Sequence, residues 1–105
     1  MERMINIDGR DVKFRSSGAF PMLYRAETGR DFFADMARIS ENGDEMTAFD
    51  SEALYDIAYC LAKSADKKIG NKYDWFDGFA SFPIFEVFPQ LNDLLVVTMQ
   101  TLKKA

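Results

Sequence analysis

The segment INIDGRDVKF, from Ile5 to Phe14, alternates apolar and polar residues on both sides of an Asp8-Gly9 pair. This alternation is typical of β-strands, and Asp-Gly supplies the positive φ values that a tight hairpin turn needs. We therefore predict a β-hairpin over about residues 3–16, with a loop of two or four residues. Because an isolated hairpin is only marginally stable in water, its apolar face must lie against helices or against another chain.

Helical spacing replaces this alternation from about residue 19. Pro21 suits the first turn of a helix, and Gly29 suits the left-handed position that ends one. Asp31 is the expected N-cap of a second helix, which should end near Glu41. The sequence therefore predicts two consecutive helices with a sharp boundary at Gly29.

A third helix is predicted to begin at a capping-box-like pair, Thr47 and Asp50. Apolar residues recur on it with helical spacing as far as Ala65, so one face should be buried. The residues that we expect to lie mostly away from that face are Glu52, Tyr55, Asp56, Tyr59 and Lys63.

The last part of the chain is predicted to hold a short helical segment over residues 73–80 and then one long helix. Ser81 can cap the long helix, which would end at Leu102 or Lys103. At 1.5 Å per residue it would be about 35 Å long. Pro89 should bend it, because proline removes a backbone donor and clashes with the preceding turn.

Length and composition agree with a single domain. A chain of 105 residues can bury one core, and 48% hydrophobic with 29% charged residues is ordinary globular composition. We expect one domain over residues 1–105, α+β and mainly α-helical. In it an N-terminal β-hairpin precedes four to five helices over about residues 18–103, of which the last is long.

Composition also narrows the classes of function. A net charge of -4 argues against nucleic-acid binding, which relies on clustered lysine and arginine. The single cysteine and the absence of histidine from the sequence remove the usual zinc ligand sets and the commonest general acid-base group. No apolar run approaches the roughly 20 residues that span a bilayer. We therefore expect no catalytic, metal or cofactor site and no membrane partner.

The acidic residues admit a catalytic and a structural interpretation. Asp31 and Asp35 could act as an acid-base pair on one helical face, but capping and solvation are favoured because aspartate at a helix start binds free amide groups. A second group of carboxylates lacks the ligand order and the glycine of a calcium loop, so a solvated loop is favoured. These residues are Asp44, Glu45, Asp50 and Glu52.

The remaining candidates are a thiol and a group of cations. Cys60 has no possible histidine base, so we expect a structural thiol. The basic residues near the amino end could be solvated, or they could form a docking face for an acidic helical partner. They are Arg10, Lys13, Arg15, Arg25 and Arg30.

The predicted last helix is apolar over more than one stripe, which one small core would not cover. Excess apolar surface of this kind indicates a protein partner. Tyr55 and Tyr59 are expected to assist from the third helix. The predicted anchors on the last helix are Phe85, Phe88, Val96 and Val97.

Five segments, taken in their order and spacing, resemble the tail assembly chaperones of long-tailed, siphovirus-like phages and of prophages of Gram-positive bacteria. The segments are IDGRDVKF (7–14), YRAETGRDFFADM (24–36), IAYCLAKSAD (57–66), DWFDGF (74–79) and EVFPQLNDL (86–94). The first segment begins at residue 7 and the last ends at residue 94, so the resemblance extends over nearly the whole chain.

This resemblance implies a protein that is not an enzyme and that works without ATP. It would act in the host cytoplasm during tail morphogenesis and would be absent from the mature virion. Its partners would be the tape measure protein, which such chaperones coat, and the tail tube protein, whose subunits they help to recruit, with a homo-oligomer also possible. The alternative from another class is a small phage or bacterial regulatory protein that inhibits a host protein by direct binding.

Overall fold

The computed structural model describes residues 1–42 and 48–100, and in these ranges the chain forms one β-hairpin followed by six helices. The predicted class, α+β and mainly α-helical with an N-terminal hairpin, is confirmed. The strands are β1 (Glu2–Ile7) and β2 (Arg10–Arg15). The helices are α1 (Phe20–Thr28), α2 (Phe32–Asn42), α3 (Ala48–Ala65), α4 (Lys72–Asp77), α5 (Ile84–Gln90) and α6 (Asn92–Met99).

The hairpin has the shorter of the two predicted loops. Ile7 pairs with Arg10, so only Asp8 and Gly9 lie between the strands. Their φ values are 54° and 77°, the left-handed values that a two-residue hairpin turn of type I′ requires. The Asp8 carboxylate also accepts a hydrogen bond from the N–H of Ala80 at 2.8 Å, which ties the turn to the chain between α4 and α5.

The boundary between α1 and α2 is set by local chemistry, as predicted. Gly29 ends α1 with φ 75°, and its N–H donates to the carbonyl of Arg25 at 2.8 Å. Two residues later, Asp31 Oδ2 accepts a hydrogen bond from the N–H of Ala34 at 2.9 Å. Asp31 is therefore the N-cap of α2. The predicted capping box at Thr47 lies outside the described residues.

The predicted long last helix is divided into α5 and α6. Pro89 has no N–H to donate to the carbonyl one turn earlier. The chain tightens instead: Leu91 has φ -90° and ψ 0°, and its N–H donates to the carbonyl of Phe88 at 2.9 Å. α5 also begins later than predicted, at Ile84 rather than after Ser81. Proline therefore interrupts the helix here instead of only bending it.

The central element is α3, which contacts β2, α1, α2 and α5. Because neighbours lie on several sides, burial extends around most of the helix. Asp56 and Tyr59 are both buried, so the prediction that they lie away from the apolar face is wrong. The core of the domain is thus organised around α3.

Candidate interaction surfaces

Three predicted anchor residues lie at the surface of the last two helices. The exposed fractions are 63% for Phe85 on α5, 47% for Val96 and 41% for Val97 on α6. We call these three residues the C-terminal apolar surface. Phe88, the fourth anchor predicted on these helices, is half-buried and packs against the core.

The inward sides of the same helices explain why these residues are exposed. α5 buries Ile84 and Val87, and α6 buries Leu94 and Leu95. Ile84 and Val87 are three positions apart on α5 and Leu94 and Leu95 are adjacent on α6, so the apolar stripe that faces the core takes up one side of each helix. Phe85 and the two valines fall outside that stripe. They therefore leave large apolar side chains in contact with water.

Tyr55 and Tyr59, the two predicted helpers on α3, occupy different environments. Tyr59 is 2% exposed, its ring centroid lies 5.9 Å from that of Trp75, and its hydroxyl donates to the carbonyl of Gly70. Tyr59 is therefore a core residue, and the hypothesis that it reaches a partner from the surface has to be corrected. Tyr55 is half-buried and packs edge-on against Phe76 at 5.3 Å.

Tyr55 opens into a surface cavity of about 440 Å³ between α3 and α4. Its aromatic lining consists of Tyr55, Tyr73 and Phe76, and Lys72 and Glu52 contribute charged groups. Tyr73 is 79% exposed. We call this cavity the aromatic groove. The exposure of Tyr73 was not predicted from the sequence.

A buried ion network, centred on Asp35, was not predicted from the sequence. Tyr24 Oη donates to the Asp35 carboxylate at 2.6 Å, Arg30 Nε at 2.9 Å and Arg38 at 3.0 Å. Arg38 also donates to Asp50 at 3.1 Å. Asp35 and Asp50 are both buried, so the prediction that they are solvated is wrong. Their burial is tolerated because cations lie within hydrogen-bond distance.

The network continues to α3 and α4 through Asp56. Arg30 Nη2 and Lys72 Nζ each donate to this carboxylate at 2.6 Å, one to each oxygen. The Asp56 side chain is 1% exposed. Arg30 therefore is not the solvated or docking cation that the sequence suggested. It joins the α1–α2 junction to α2 and α3, while Lys72 fixes the start of α4.

Electrostatics within the network favour its charged state. Burial by itself raises the pKa of Asp35, but the hydrogen bonds from Tyr24, Arg30 and Arg38 outweigh burial and hold that pKa below its usual value. Burial, reinforced by the hydrogen bond to Asp35, raises the pKa of Tyr24. Asp35 is thus ionised and Tyr24 protonated at neutral pH. Since the donors already occupy the carboxylates, we assign the network a structural role.

Cys60 lies inside the core on α3 and is fully buried. Burial, with a smaller contribution from Glu27, raises the pKa of its thiol to about 12. The thiol therefore stays protonated at neutral pH, and protonated buried thiols are poor nucleophiles. This environment agrees with the structural interpretation of Cys60.

The described residues contain neither a cluster of metal-ligating side chains nor a helix that could span a membrane. In residues 1–42 and 48–100, no group of three or more Cys, Asp or Glu side chains is arranged to hold a metal ion. Over the same ranges, no helix has the length and apolar character needed to cross a membrane.

Comparison with known proteins gives no further constraint. The chain matches no protein-family model, and neither the curated proteins nor the solved structures contain a significant match to it.

Proposed function

We propose that this protein is a phage tail assembly chaperone, which binds the tape measure protein and helps to recruit tail tube subunits during tail morphogenesis. The resemblance of five ordered segments to that family suggests the role. The observation that carries the proposal is the C-terminal apolar surface, where Phe85, Val96 and Val97 are exposed without cover from the described part of the chain. On this proposal the protein acts in the host cytoplasm, without catalysis, and leaves before the virion is complete.

The surface suits a partner made of long amphipathic helices. Such a partner carries apolar stripes that aggregate unless they are covered, and an exposed helix face is a common way to cover one. Burying a side chain such as Phe85 contributes about 1.5–3 kcal/mol. Glu86 and Asp93 are exposed on the same two helices and would supply the polar rim that orients a partner.

A rigid scaffold behind the surface supports binding without ATP. The ion network fixes α2, α3 and α4 relative to each other, and α3 in turn contacts α5. A surface that is already ordered before binding loses less conformational entropy when a partner arrives. The aromatic groove, with Tyr55 and Tyr73, offers a second contact for the tape measure protein or for a tail tube subunit.

Replacing Phe85 and Val96 with serine is expected to abolish co-purification with the tape measure protein of the phage or prophage that encodes this chain. Both side chains are exposed, so the helical circular dichroism signal should stay unchanged while the apolar contact is lost. The measurement is affinity purification after co-expression of the two proteins.

The matched control is Met22→Ser, because Met22 on α1 is 70% exposed but lies on another element. This variant should retain the tape measure protein. Undiminished capture by the Phe85 and Val96 variant would contradict the proposed surface. If the unaltered chain captured neither tail protein but bound a host protein directly, the regulatory alternative would replace the chaperone proposal.

A further inference from the structure

A second surface cavity, of about 290 Å³, lies between the end of β2, the start of α1 and the C-terminal part of α3. Its charged lining consists of Arg15, Lys63 and Lys67, and its apolar lining includes Ala19 and Leu23. We call it the cationic pocket. Every charged residue that lines it is positive, although the chain as a whole has a net charge of -4.

Among the residues that the structure describes, two of the three cations have no ion partner. Lys63 donates to Glu27 at 2.9 Å, so its charge is largely compensated. Arg15 and Lys67 are exposed, and in the part of the chain that the structure describes no carboxylate lies within 4.0 Å of either side chain. Unpaired cations beside a concave, partly apolar wall create a local positive potential that attracts anions.

The start of α1 adds to this potential. Ala19 is the N-cap residue of this nine-residue helix and lines the pocket, and Ser17 accepts hydrogen bonds from the N–H groups of Ala19 and Phe20 at 3.2 Å and 3.0 Å. The positive end of the helix dipole therefore adjoins the pocket. Leu23, one turn further along α1, is half-buried and supplies an apolar contact beside the charges.

We propose that the cationic pocket binds an acidic segment of a partner protein. Carboxylates of the segment face Arg15 and Lys67, and an apolar side chain of the segment packs against Leu23 and Ala19. A phosphate backbone fits the same pocket less well, because it leaves the apolar lining uncovered and usually requires many more clustered cations. This inference is independent of the proposed chaperone role, since the pocket shares no lining residue with the C-terminal apolar surface.

The test uses the full chain and a fluorescein-labelled synthetic helix of about 16 residues, built from Glu, Leu and Ala. A comparison peptide has glutamine in place of every glutamate. Fluorescence anisotropy should show that the chain binds the acidic peptide about tenfold more tightly than the glutamine peptide, because the charges are complementary. The difference should shrink as salt rises from about 0.05 M to about 0.5 M, because exposed charges are screened.

Replacing Arg15 and Lys67 with glutamine should weaken binding of the acidic peptide about tenfold, because the two unpaired cations face it. The matched variant replaces Arg25 and Lys68, which are exposed, carry the same charge and do not line the pocket. Its affinity should stay within about twofold of the unaltered chain, since neither side chain lines the pocket and exposed charges outside it are screened. The Phe85 and Val96 serine variant should also bind the peptide normally.

A further variant, Ala19→Asp, distinguishes a loss of binding from a loss of folding. A carboxylate at the start of α1 interacts favourably with the helix dipole, so this variant should be at least as stable as the unaltered chain. It should nevertheless lose the acidic peptide, because it places a negative charge in the pocket. Three results would each overturn the proposal: equal affinity for both peptides, an equal loss in the two glutamine double variants, or tighter pocket-dependent binding of a single-stranded oligonucleotide of the same charge.

Discussion

Replacing Asp56 with alanine should lower the free energy of unfolding by about 3–5 kcal/mol, because it leaves two cations without their shared anion. Arg30 and Lys72 each lie 2.6 Å from a different oxygen of this carboxylate, and the Asp56 side chain is 1% exposed. Without it the two positive charges would repel each other next to the core. Urea denaturation of the variant at neutral pH, followed by circular dichroism, measures the loss.

Asp93→Ala is the matched control for this experiment. Asp93 pairs with Arg3, but the two side chains are 58% and 37% exposed. Water already solvates this pair, so its removal should change stability by less than about 1 kcal/mol. A loss for Asp56→Ala no larger than that for Asp93→Ala would show that the ion network does not hold the helices together.

Phe32→Ala is expected to destabilise the domain by about 3–5 kcal/mol, the usual range for removing a buried aromatic ring. Phe32 is fully buried, and its ring meets those of Phe20 and Tyr24 nearly edge-on, with centroids 5.0 Å and 5.7 Å away. Truncation would leave a cavity where α1 and α2 meet. Thermal and urea denaturation both measure the effect.

The same substitution at Phe85 separates stability from binding. Phe85 is 63% exposed, so Phe85→Ala should change stability by no more than about 0.5 kcal/mol. Co-purification with the tape measure protein should nevertheless decrease. If Phe85→Ala were as destabilising as Phe32→Ala, then Phe85 would be part of the core and the proposed surface would have to be abandoned.

The features that could be predicted from the sequence are those that neighbouring residues determine. Asp8 and Gly9 specify the hairpin turn because both adopt positive φ. Gly29 and Asp31 specify the end of α1 and the start of α2, because each satisfies backbone groups of its own helix. Such local rules hold whatever the rest of the chain does.

Features that depend on distant contacts could not be predicted in this way. Arg30 and Asp56 are 26 residues apart, and Asp56 and Lys72 are 16 apart. Helical periodicity placed Asp56 on a solvated face of α3, because it cannot show that neighbours cover that face. Within the network, the Asp35 and Arg38 pair, three residues apart on α2, has a spacing that could have indicated an ion pair.

The candidate surface could be predicted only in part, because the sequence does not show which residues are covered by distant elements. An excess of apolar residues in the last helices correctly indicated that some would remain exposed, as Phe85, Val96 and Val97 do. Periodicity could not reveal that Tyr59 faces Trp75, a contact that depends on where α4 packs. That Arg15 and Lys67 have no carboxylate partner among residues 1–42 and 48–100 likewise depends on the three-dimensional structure.

The junction between α1 and α2 contains three consecutive residues with different structural roles, Gly29, Arg30 and Asp31. The first ends α1, the second binds Asp35 and Asp56, and the third begins α2. An insertion here would move the guanidinium away from both carboxylates while also disturbing two helix ends. In distant relatives we therefore expect this junction to keep its length, and a relative that lacks the arginine should also have lost the acidic residue that corresponds to Asp56.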